Sequence, residues 1–483
     1  MKPPNDLPTD QTDPRFQAWL QEAQQKSVGE PPATIVQDLT DLWSSDWFMR
    51  CWVTQEMVLP RDVVCLYGYG SKQASWSLDT LTMLIERSQS VQHSHRDSYK
   101  IGRSFNALLL EKAVQVDAWR LMRSEMRKQD SKGDFLDLLH QSRRTKATDQ
   151  RDKIYSLLGL MKDEERAAIR VDYSLNHTVT DVFMDVAKYC LPTLYGPRLL
   201  VEAGISRTIP GLPSWAPDWT SIYRTPLNTG LYNACLNLHK PIELLPDGKS
   251  IRMMGRKIEK VALVGMPVNY PYGIVERSGI NPSTEQYSLQ NILIAATILC
   301  EPARELYPQY PLRNEDWSEV LRRTCVVDRH WSGRRLSADD RHEWDACLEA
   351  CGFGTDIFEA VKLDSSASSG SWASMDEAGR RANSLPYGIV VAEFQKGRVV
   401  ALLQGGLLGC LPSETHVGDV VAVLFGGWVP FVLRPLGGDE YELVGHCYVH
   451  GIMDGEWIEA ALALAMSADE PDFNKSFQTF VIR

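Results

Sequence analysis

Glu56 is the carboxylate whose surroundings in the sequence most favour a chemical role. It follows Trp52 by four residues, so the two side chains share a face if this segment is helical. Most other positions of the segment 46–59 are apolar, and a helix that is apolar on most sides tends to be buried. A carboxylate there must find a partner, open into a cleft or raise its pKa, which makes Glu56 a candidate functional residue. The alternative, which the spacing alone favours, is that Glu56 bonds Arg50, Arg61 or a backbone amide and only stabilises the fold.

A second cluster of charged residues lies in the segment 143–155, Arg-Arg-Thr-Lys-Ala-Thr-Asp-Gln-Arg-Asp-Lys-Ile-Tyr. Clustered charges of this kind can bind an anionic ligand. The favoured interpretation is structural, with Asp149, Arg151 and Asp152 forming an ion-pair network and a helix cap. The residues that we expect in the core are Ile154, Tyr155 and Leu158.

Two further motifs contain aromatic or sulfur-bearing groups. The tryptophans of Pro213–Trp219 could form a binding surface, but aromatics fixed between prolines are more often a packed corner. His446, Cys447 and His450 suggest a metal ligand set or a nucleophile. In a strand, however, Cys447 points away from the face that both histidines share, so we expect no simple Cys–His pair.

Cys347 and Cys351 lie one helical turn apart, with His342 nearby. A metal site needs more ligands than these, so we interpret them as buried thiols on a helix and predict no metal.

The composition narrows the function classes. The 483 residues are 44% hydrophobic and carry a formal net charge of −11, which argues against binding to nucleic acid or anionic membranes. The start has no apolar signal-peptide core, and the longest apolar runs are too short to span a bilayer. The ten cysteines lack the spacing of a disulfide framework, so we expect reduced thiols and a cytoplasmic protein.

The helices and strands that position these candidate residues are predicted to begin after an N-terminal tail. Residues 1–35 are predicted to be disordered. Asp46 can cap a helix that Pro60 stops, Val63–Tyr67 is typical of a buried strand, and Ser75 opens another helix.

Residues 81–200 are predicted to be mainly helical, with one helix over 148–162 and another behind the capping box Thr178-x-x-Asp181. The buried face of the second helix comprises Val179, Val182, Phe183, Val186 and Cys190.

The rest of the chain is predicted to be mixed. Residues 201–363 form a mixed α/β region with a β-hairpin around Gly248 and helices beyond it. Residues 364–384 form a flexible Ser-rich linker, and residues 385–483 form five short strands with glycine turns, followed by a helix near Trp457–Met466. That pattern indicates a small barrel or sandwich.

Three of these motifs together resemble the heterokaryon-incompatibility (HET) proteins of filamentous fungi. They are the Trp43–Glu56 segment with its Trp-Val-x-Gln-Glu element, the run Asp149–Gly159, and Pro213–Trp219. The C-terminal run 418–456 also matches the extension seen in this group. The resemblance implies a role in non-self recognition and programmed cell death, with a protein partner; a homo-oligomer is left open.

The helix that contains Glu56 also looks like the helix bearing the catalytic glutamate of TIR-type NAD glycohydrolases. HET and TIR domains are thought to share a flavodoxin-like α/β architecture, of which residues 36–80 would be the C-terminal part. The resemblance implies that Glu56 would bond the nicotinamide ribose hydroxyls and stabilise oxocarbenium-like charge. Trp52 would be the residue packed under this NAD site. NAD would be a substrate, so no resident cofactor is predicted.

The two motifs that normally open a HET domain, Ser-Tyr-x-Trp-Gly and Asp-x-Ile-Cys-Ile-Asn-Gln, do not occur in this sequence. The sequence therefore predicts an α+β fold with a partial flavodoxin/TIR-like remnant, a helical middle region and a C-terminal β domain. Half a doubly wound sheet makes half a ligand site. The first functional hypothesis is thus a protein that acts by interaction, through a truncated or degenerate signalling domain. The alternatives are an NAD glycohydrolase that uses Glu56 and a gene whose true start lies upstream.

Overall fold

The computed structural model describes residues 44–67, 74–77, 79, 103–127, 135–193, 196–221, 226–227, 230–265, 289–354, 356–365, 385–466 and 476–483. The chain divides into two compact units, residues 1–124 and residues 125–483. The predicted tail (1–35) and nearly all of the predicted linker (364–384) lie outside the described residues, as does Trp43. The predicted domain divisions stay predictions.

The first unit contains two short helical elements where the sequence predicts one helix. A 3-10 turn spans Asp46–Met49, and helix α1 spans Val53–Val58. Arg50 between them has extended dihedral angles (φ −71°, ψ 130°), which breaks the helix. A long helix, α2, follows at Arg103–Arg127, and most of it belongs to this unit.

The described strands of the first unit form a hairpin. Strand β1 (Val64–Tyr67) pairs antiparallel with β2 (Ala74–Ser77), so the predicted helix at Ser75 is wrong. Short apolar runs do not distinguish strand from helix, which explains the error. Val64 and Leu66 are 66% and 65% exposed, so β1 is not the buried strand that the sequence predicts. The antiparallel pairing also differs from the parallel sheet of a flavodoxin-like fold.

The second unit opens with short helices, which are α3 (Phe135–Ser142), α4 (Asp152–Tyr155), α5 (Asp163–Ala168), α6 (Val179–Cys190) and α7 (Gly196–Val201). The capping box Thr178-x-x-Asp181 is confirmed, and the predicted face of α6 is buried except for half-buried Val179. The single helix predicted over 148–162 is instead α4 and a 3-10 turn at Leu158–Leu160. Gly159 lies inside the 3-10 turn, and glycine is a poor α-helix former.

A closed ring of strands forms the centre of the second unit. The strands are β3 (Glu243–Leu244), β4 (Ile251–Val264), β5 (Arg398–Leu403), β6 (Leu408–Pro412), β7 (Val420–Leu424), β8 (Phe431–Gly437), β9 (Glu440–His446), β10 (Tyr448–Val449) and β11 (Gln478–Ile482). Pairings run β4–β7–β8–β9–β11 and back to β4, which closes a five-stranded barrel. Strands β5, β6 and β10 extend from the last residues of β4 as a further sheet.

Strand β4 can serve both sheets because it bends. Its register shifts between Lys257 and Lys260, and a Cβ at Gly255 would meet the carbonyl oxygen of Val423 at 2.5 Å. Only glycine allows this approach of β4 to β7. The β-barrel that the sequence predicts within 385–483 thus also includes β4, which lies far upstream.

Helices cover the sheets, namely α8 (Leu289–Leu306), α9 (Trp317–Cys325), α10 (Arg341–Ala350), α11 (Ile357–Ser365), α12 (Pro386–Phe394) and α13 (Glu456–Met466). Helix α8 contacts β5, and α9 contacts β6. The strands between them are almost wholly apolar and buried, as in a two-sided core. Within the described residues, no helix is both long and apolar enough to cross a membrane.

Candidate functional site

Glu56 and Trp52 lie together on the surface of the first unit. Trp52 precedes α1 and is 38% exposed, and Glu56 lies one turn later with an exposed side chain. Among the described residues, no arginine forms a salt bridge with the Glu56 carboxylate. The shared face is therefore correct, and four of the six residues of α1 are buried, but Trp52 and Glu56 lie on the exposed side. The placement of Trp52 under an NAD site stays a prediction. An exposed carboxylate lacks the desolvation and fixed donors on which such chemistry depends.

The opposite face of α1 is the buried one. Met49, Val53 and Met57 are each at most 1% exposed, and Thr54 accepts a hydrogen bond from the Trp119 indole at 3.4 Å. The guanidinium of Arg123 on α2 donates to the Met57 carbonyl oxygen at 2.8 Å. Helix α2 thus decides which face of α1 is covered, and it leaves Glu56 outside.

The buried cations of the 143–155 motif hold main-chain carbonyls. Arg143 is 3% exposed and donates to the carbonyl oxygens of Asp218 (2.9 Å) and Glu202 (2.6 Å), and its guanidinium lies over the Trp219 ring at 4.6 Å. Its Nε is 3.3 Å from the Glu202 carboxylate. Burial raises the pKa of Glu202, but His140 and Arg143 hold that pKa below its ordinary value. These contacts commit Arg143 to the fold, not to a ligand.

Lys153 has the same role nearby. It is 3% exposed, and its ammonium donates to the Arg143 carbonyl oxygen at 2.9 Å and to that of Thr145. The buried ammonium donates hydrogen bonds to carbonyl oxygens of the loop 143–153, at residues that belong to no helix or strand.

Arg151 connects the motif to the segment that follows α5. It makes a bidentate ion pair with Asp149, which keeps the pKa of that carboxyl low. The guanidinium Nη1 donates to the carbonyl oxygens of Asp172 (3.3 Å), Ser174 (3.0 Å) and His177 (2.8 Å). The predicted ion pair is present, and its guanidinium also fixes a loop.

Tyr155 completes this support. Its hydroxyl lies 3.2 Å from the Arg170 carbonyl oxygen and accepts from the Asp172 amide at 3.1 Å. Asp152, expected in the ion-pair network, instead accepts a hydrogen bond from the Tyr173 hydroxyl at 2.5 Å. Ile154 and Tyr155 are buried as predicted, whereas Leu158 is half-buried.

The tryptophans of Pro213–Trp219 form a packed corner. Both are fully buried, and the Trp215 indole donates to the Lys249 carbonyl oxygen at 2.7 Å. The Asp218 carboxylate accepts from the amides of Thr208 (2.6 Å) and Thr220 (2.8 Å). This corner is therefore not a binding surface.

The sequence places His446 and His450 on one face of a strand and Cys447 on the other, but no single strand spans the three residues. β9 ends at His446, β10 spans only Tyr448–Val449, and the two histidines have different partners. His446 Nε2 lies 2.8 Å from a guanidinium nitrogen of fully buried Arg398. Cys447 between the histidines is buried, and burial raises the pKa of its thiol well above the usual range. A thiol held protonated is a poor nucleophile.

His450 lies in a buried chain of hydrogen bonds. Its Nε2 is 2.7 Å from Glu315 Oε2, and its Nδ1 is 2.9 Å from the Tyr448 hydroxyl. The Tyr310 hydroxyl donates to the His450 carbonyl oxygen at 2.8 Å. Tyr448 and His450 are 1% and 2% exposed, so a substrate could not reach them without rearrangement. The geometry joins barrel to helices and does not form an open catalytic group.

Ion pairs continue from this chain over the same junction. Arg313 pairs with Glu456, and Arg335 pairs with both Asp454 (2.5 Å) and Asp328 (2.8 Å). Burial raises the pKa of Asp328 even though arginines flank it. Sequence reasoning missed Asp454 and Glu456 as partners, because each is more than a hundred positions from its arginine and no local motif joins them.

The thiols offer no metal site. The Cys347 thiol is fully buried, burial raises its pKa to about 12, and Cys351 is 5% exposed. His342 instead bonds the Asp339 carbonyl oxygen at 2.7 Å. Within the part of the chain that the structure describes, no group of three metal-ligating side chains is found.

Comparisons with known proteins agree with the barrel. Residues 356–463 match the family of the Het-6 beta-barrel domain. The heterokaryon incompatibility protein 6, OR allele, of Neurospora crassa is 24% identical over 464 residues, which cover 88% of this chain and 66% of the relative. The chain thus spans slightly less than two thirds of that relative's length. No solved structure matches the chain.

The Het-6 match accounts for β5 to β10, whereas β4 and β11, which close the barrel, lie outside it. Because the alignment with the relative covers 88% of the chain, it extends over parts of both halves. Residues 356–463 of this chain thus match the Het-6 beta-barrel domain, and most of the chain is similar to a fungal heterokaryon incompatibility protein.

Proposed function

We propose that this chain acts in heterokaryon incompatibility, in the non-self recognition that leads to programmed cell death, and that it acts by binding another protein in the cytoplasm. The observation that supports the proposal is its similarity, over 88% of its length, to an incompatibility protein. Cell death and the contact with a partner protein are both part of this proposal.

The geometry favours binding over catalysis. Lys153 and His450 are buried in structural contacts, nine of the ten cysteines are buried, and Glu56 lies on an exposed surface. Lys153, His450 and the buried cysteines have the chemistry for catalysis, but in this structure they support the fold. The reduced state of these thiols also fits a cytoplasmic protein.

The test is a fusion assay in the fungus that encodes the chain. Strains with and without the gene are each paired with a panel of tester strains, and death of fused cells is scored with a vital dye. We expect some lethal pairings to become viable on deletion. Reintroduced wild type and Glu56→Ala should restore death, whereas the fold-breaking Lys153→Met should not. Unchanged death in every pairing after deletion would contradict the proposal.

A further inference from the structure

The segment Arg170–Ser174, called here the docking edge, has one side covered by side chains. The Tyr155 hydroxyl bonds the Arg170 carbonyl oxygen (3.2 Å) and the Asp172 amide (3.1 Å). Arg151 Nη1 bonds the carbonyl oxygens of Asp172 and Ser174. The bonded residues are thus 170, 172 and 174, which is the alternation of an extended chain paired along one edge.

The other side of the docking edge is open. Among the described residues, none bonds the main-chain N–H or C=O of Val171 or Tyr173. In an extended chain, the N–H and C=O groups of residues 171 and 173 point to the opposite side from those of residue 172. The motif side chains therefore take the place of a neighbouring strand on one side, while two residues present unpaired donors and acceptors on the other.

Apolar side chains accompany this open side. Val171, Tyr173 and Leu175 are 54%, 48% and 96% exposed. Tyr173 is held by its hydroxyl bond to Asp152 and by an edge contact with the Tyr155 ring, whose centroid is 5.2 Å away. Because the segment is already fixed, it would lose little conformational entropy when a partner binds.

We propose that an extended segment of a partner protein adds to the docking edge as a strand, pairing with the main chain of Val171 and Tyr173. This inference rests on the proposed function and names the kind of partner. The partner is not a second copy, since the two-fold register that uses both open residues would place Asp172 opposite Asp172. Around the edge, Asp149, Asp152 and Asp172 outnumber Arg151 and Arg170, so the partner strand presents a basic residue opposite Asp172.

The experiment selects partners and then removes one donor. A phage-displayed heptapeptide library is selected on the full-length protein, and the enriched peptides are synthesised for titration. Val171→Pro removes the open N–H and also fixes φ at this position, while Val171→Ala keeps that N–H and shortens the side chain. We expect enriched peptides with alternating apolar residues and a basic residue. Their affinity should fall about tenfold with Val171→Pro and about twofold with Val171→Ala.

N-methylation of the peptides tests the pairing directly. Methylation of alternate amides should abolish binding and methylation of the intervening ones should not, a signature that pocket binding would lack. Peptides that bind Val171→Pro as tightly as wild type, or no enrichment at all, would overturn the inference. Circular dichroism and a thermal melt establish that both variants fold.

The outcome is separable from that of the fusion assay. If death of fused cells depends on the chain but is unchanged by Val171→Pro, the docking edge fails and the proposed function stands. If peptides bind as expected but deletion never alters cell fusion, the proposed function fails.

Discussion

The Nε2 of His450 lies 2.7 Å from Oε2 of Glu315, although the two residues are 135 positions apart. The Tyr448 hydroxyl lies 2.9 Å from the other ring nitrogen. The Tyr448 hydroxyl can donate to Nδ1, and Nε2 can donate to the carboxylate. The hydrogen bond to His450 lowers the pKa of Glu315, which keeps this carboxylate charged. Barrel and helices are thus joined by a satisfied polar contact in an otherwise apolar core.

His450→Ala should lower the free energy of unfolding by about 2–4 kcal/mol, because it leaves the Tyr448 hydroxyl without its acceptor inside the core. The exposed His416→Ala is the control and should cost less than about 0.5 kcal/mol. Urea denaturation followed by fluorescence measures both. Equal stabilities for the two variants would show that the contact is dispensable.

Lys153→Met should destabilise the second unit by about 2–3 kcal/mol, since two buried carbonyl oxygens lose their donor. Lys188→Met, at an exposed position of α6, is the matched control and should change stability little. Thermal melting of both variants gives the comparison. A Lys153→Met protein as stable as wild type would refute the role assigned to the ammonium.

Tyr155→Phe should accelerate hydrogen exchange in residues 170–177 by about tenfold while exchange in the barrel stays unchanged, because the hydroxyl holds the docking edge. The control is Tyr189→Phe, whose half-exposed hydroxyl makes no described hydrogen bond. Exchange is followed by mass spectrometry of peptic peptides. Unchanged protection of 170–177 in Tyr155→Phe would mean that Arg151 alone suffices.

Stability should fall in acid partly through Glu319. Burial raises the pKa of this carboxyl, but Arg322 and Arg323 lower it to about 2, against 4.5 for the free group. A lowered folded-state pKa contributes stability that is present above pH 4.5 and is lost as the pH falls toward 2. The difference corresponds to about 3 kcal/mol. Glu319→Gln should therefore flatten the unfolding free energy between pH 5 and about pH 3, whereas exposed Glu349→Gln should follow the wild-type curve.

Purified protein should consume no NAD, and Glu56→Ala should not differ from wild type at any protein concentration, because the carboxylate lies on an open surface. Release of nicotinamide is measured by chromatography, with an active TIR-type enzyme as the positive control. Cleavage that disappears in Glu56→Ala would establish the enzyme and contradict the interaction proposal.

Local patterns predicted the parts of the fold that local forces decide. The capping box at Thr178 and the strands between Arg398 and His446 follow from spacing and glycine turns. The helical spacing also placed Trp52 and Glu56 on one face correctly. Whether that face is buried depends on Trp119 and Arg123, which lie more than sixty residues away. The local sequence around Glu56 therefore cannot predict it.

Distant pairings explain the remaining differences. β4 closes the barrel between β7 and β11 and also pairs with β3 and β5, and a strand pattern alone does not specify these four neighbours. Glu315 and Arg335 likewise belong to no recognisable motif, because each bonds a residue that is distant in the sequence. The sequence shows the charged motif of residues 143–155. It does not show that this motif supports the docking edge.

The strand order of the barrel has a consequence for synthesis. β4 is made well before its partner β11, which also pairs in parallel with β9. At ordinary translation rates the interval from Val264 to Gln478 is on the order of tens of seconds. During that time a nascent chain has unpaired strand edges, which are prone to association with other chains. Ribosome-bound intermediates of this protein should therefore depend on chaperones until β11 emerges.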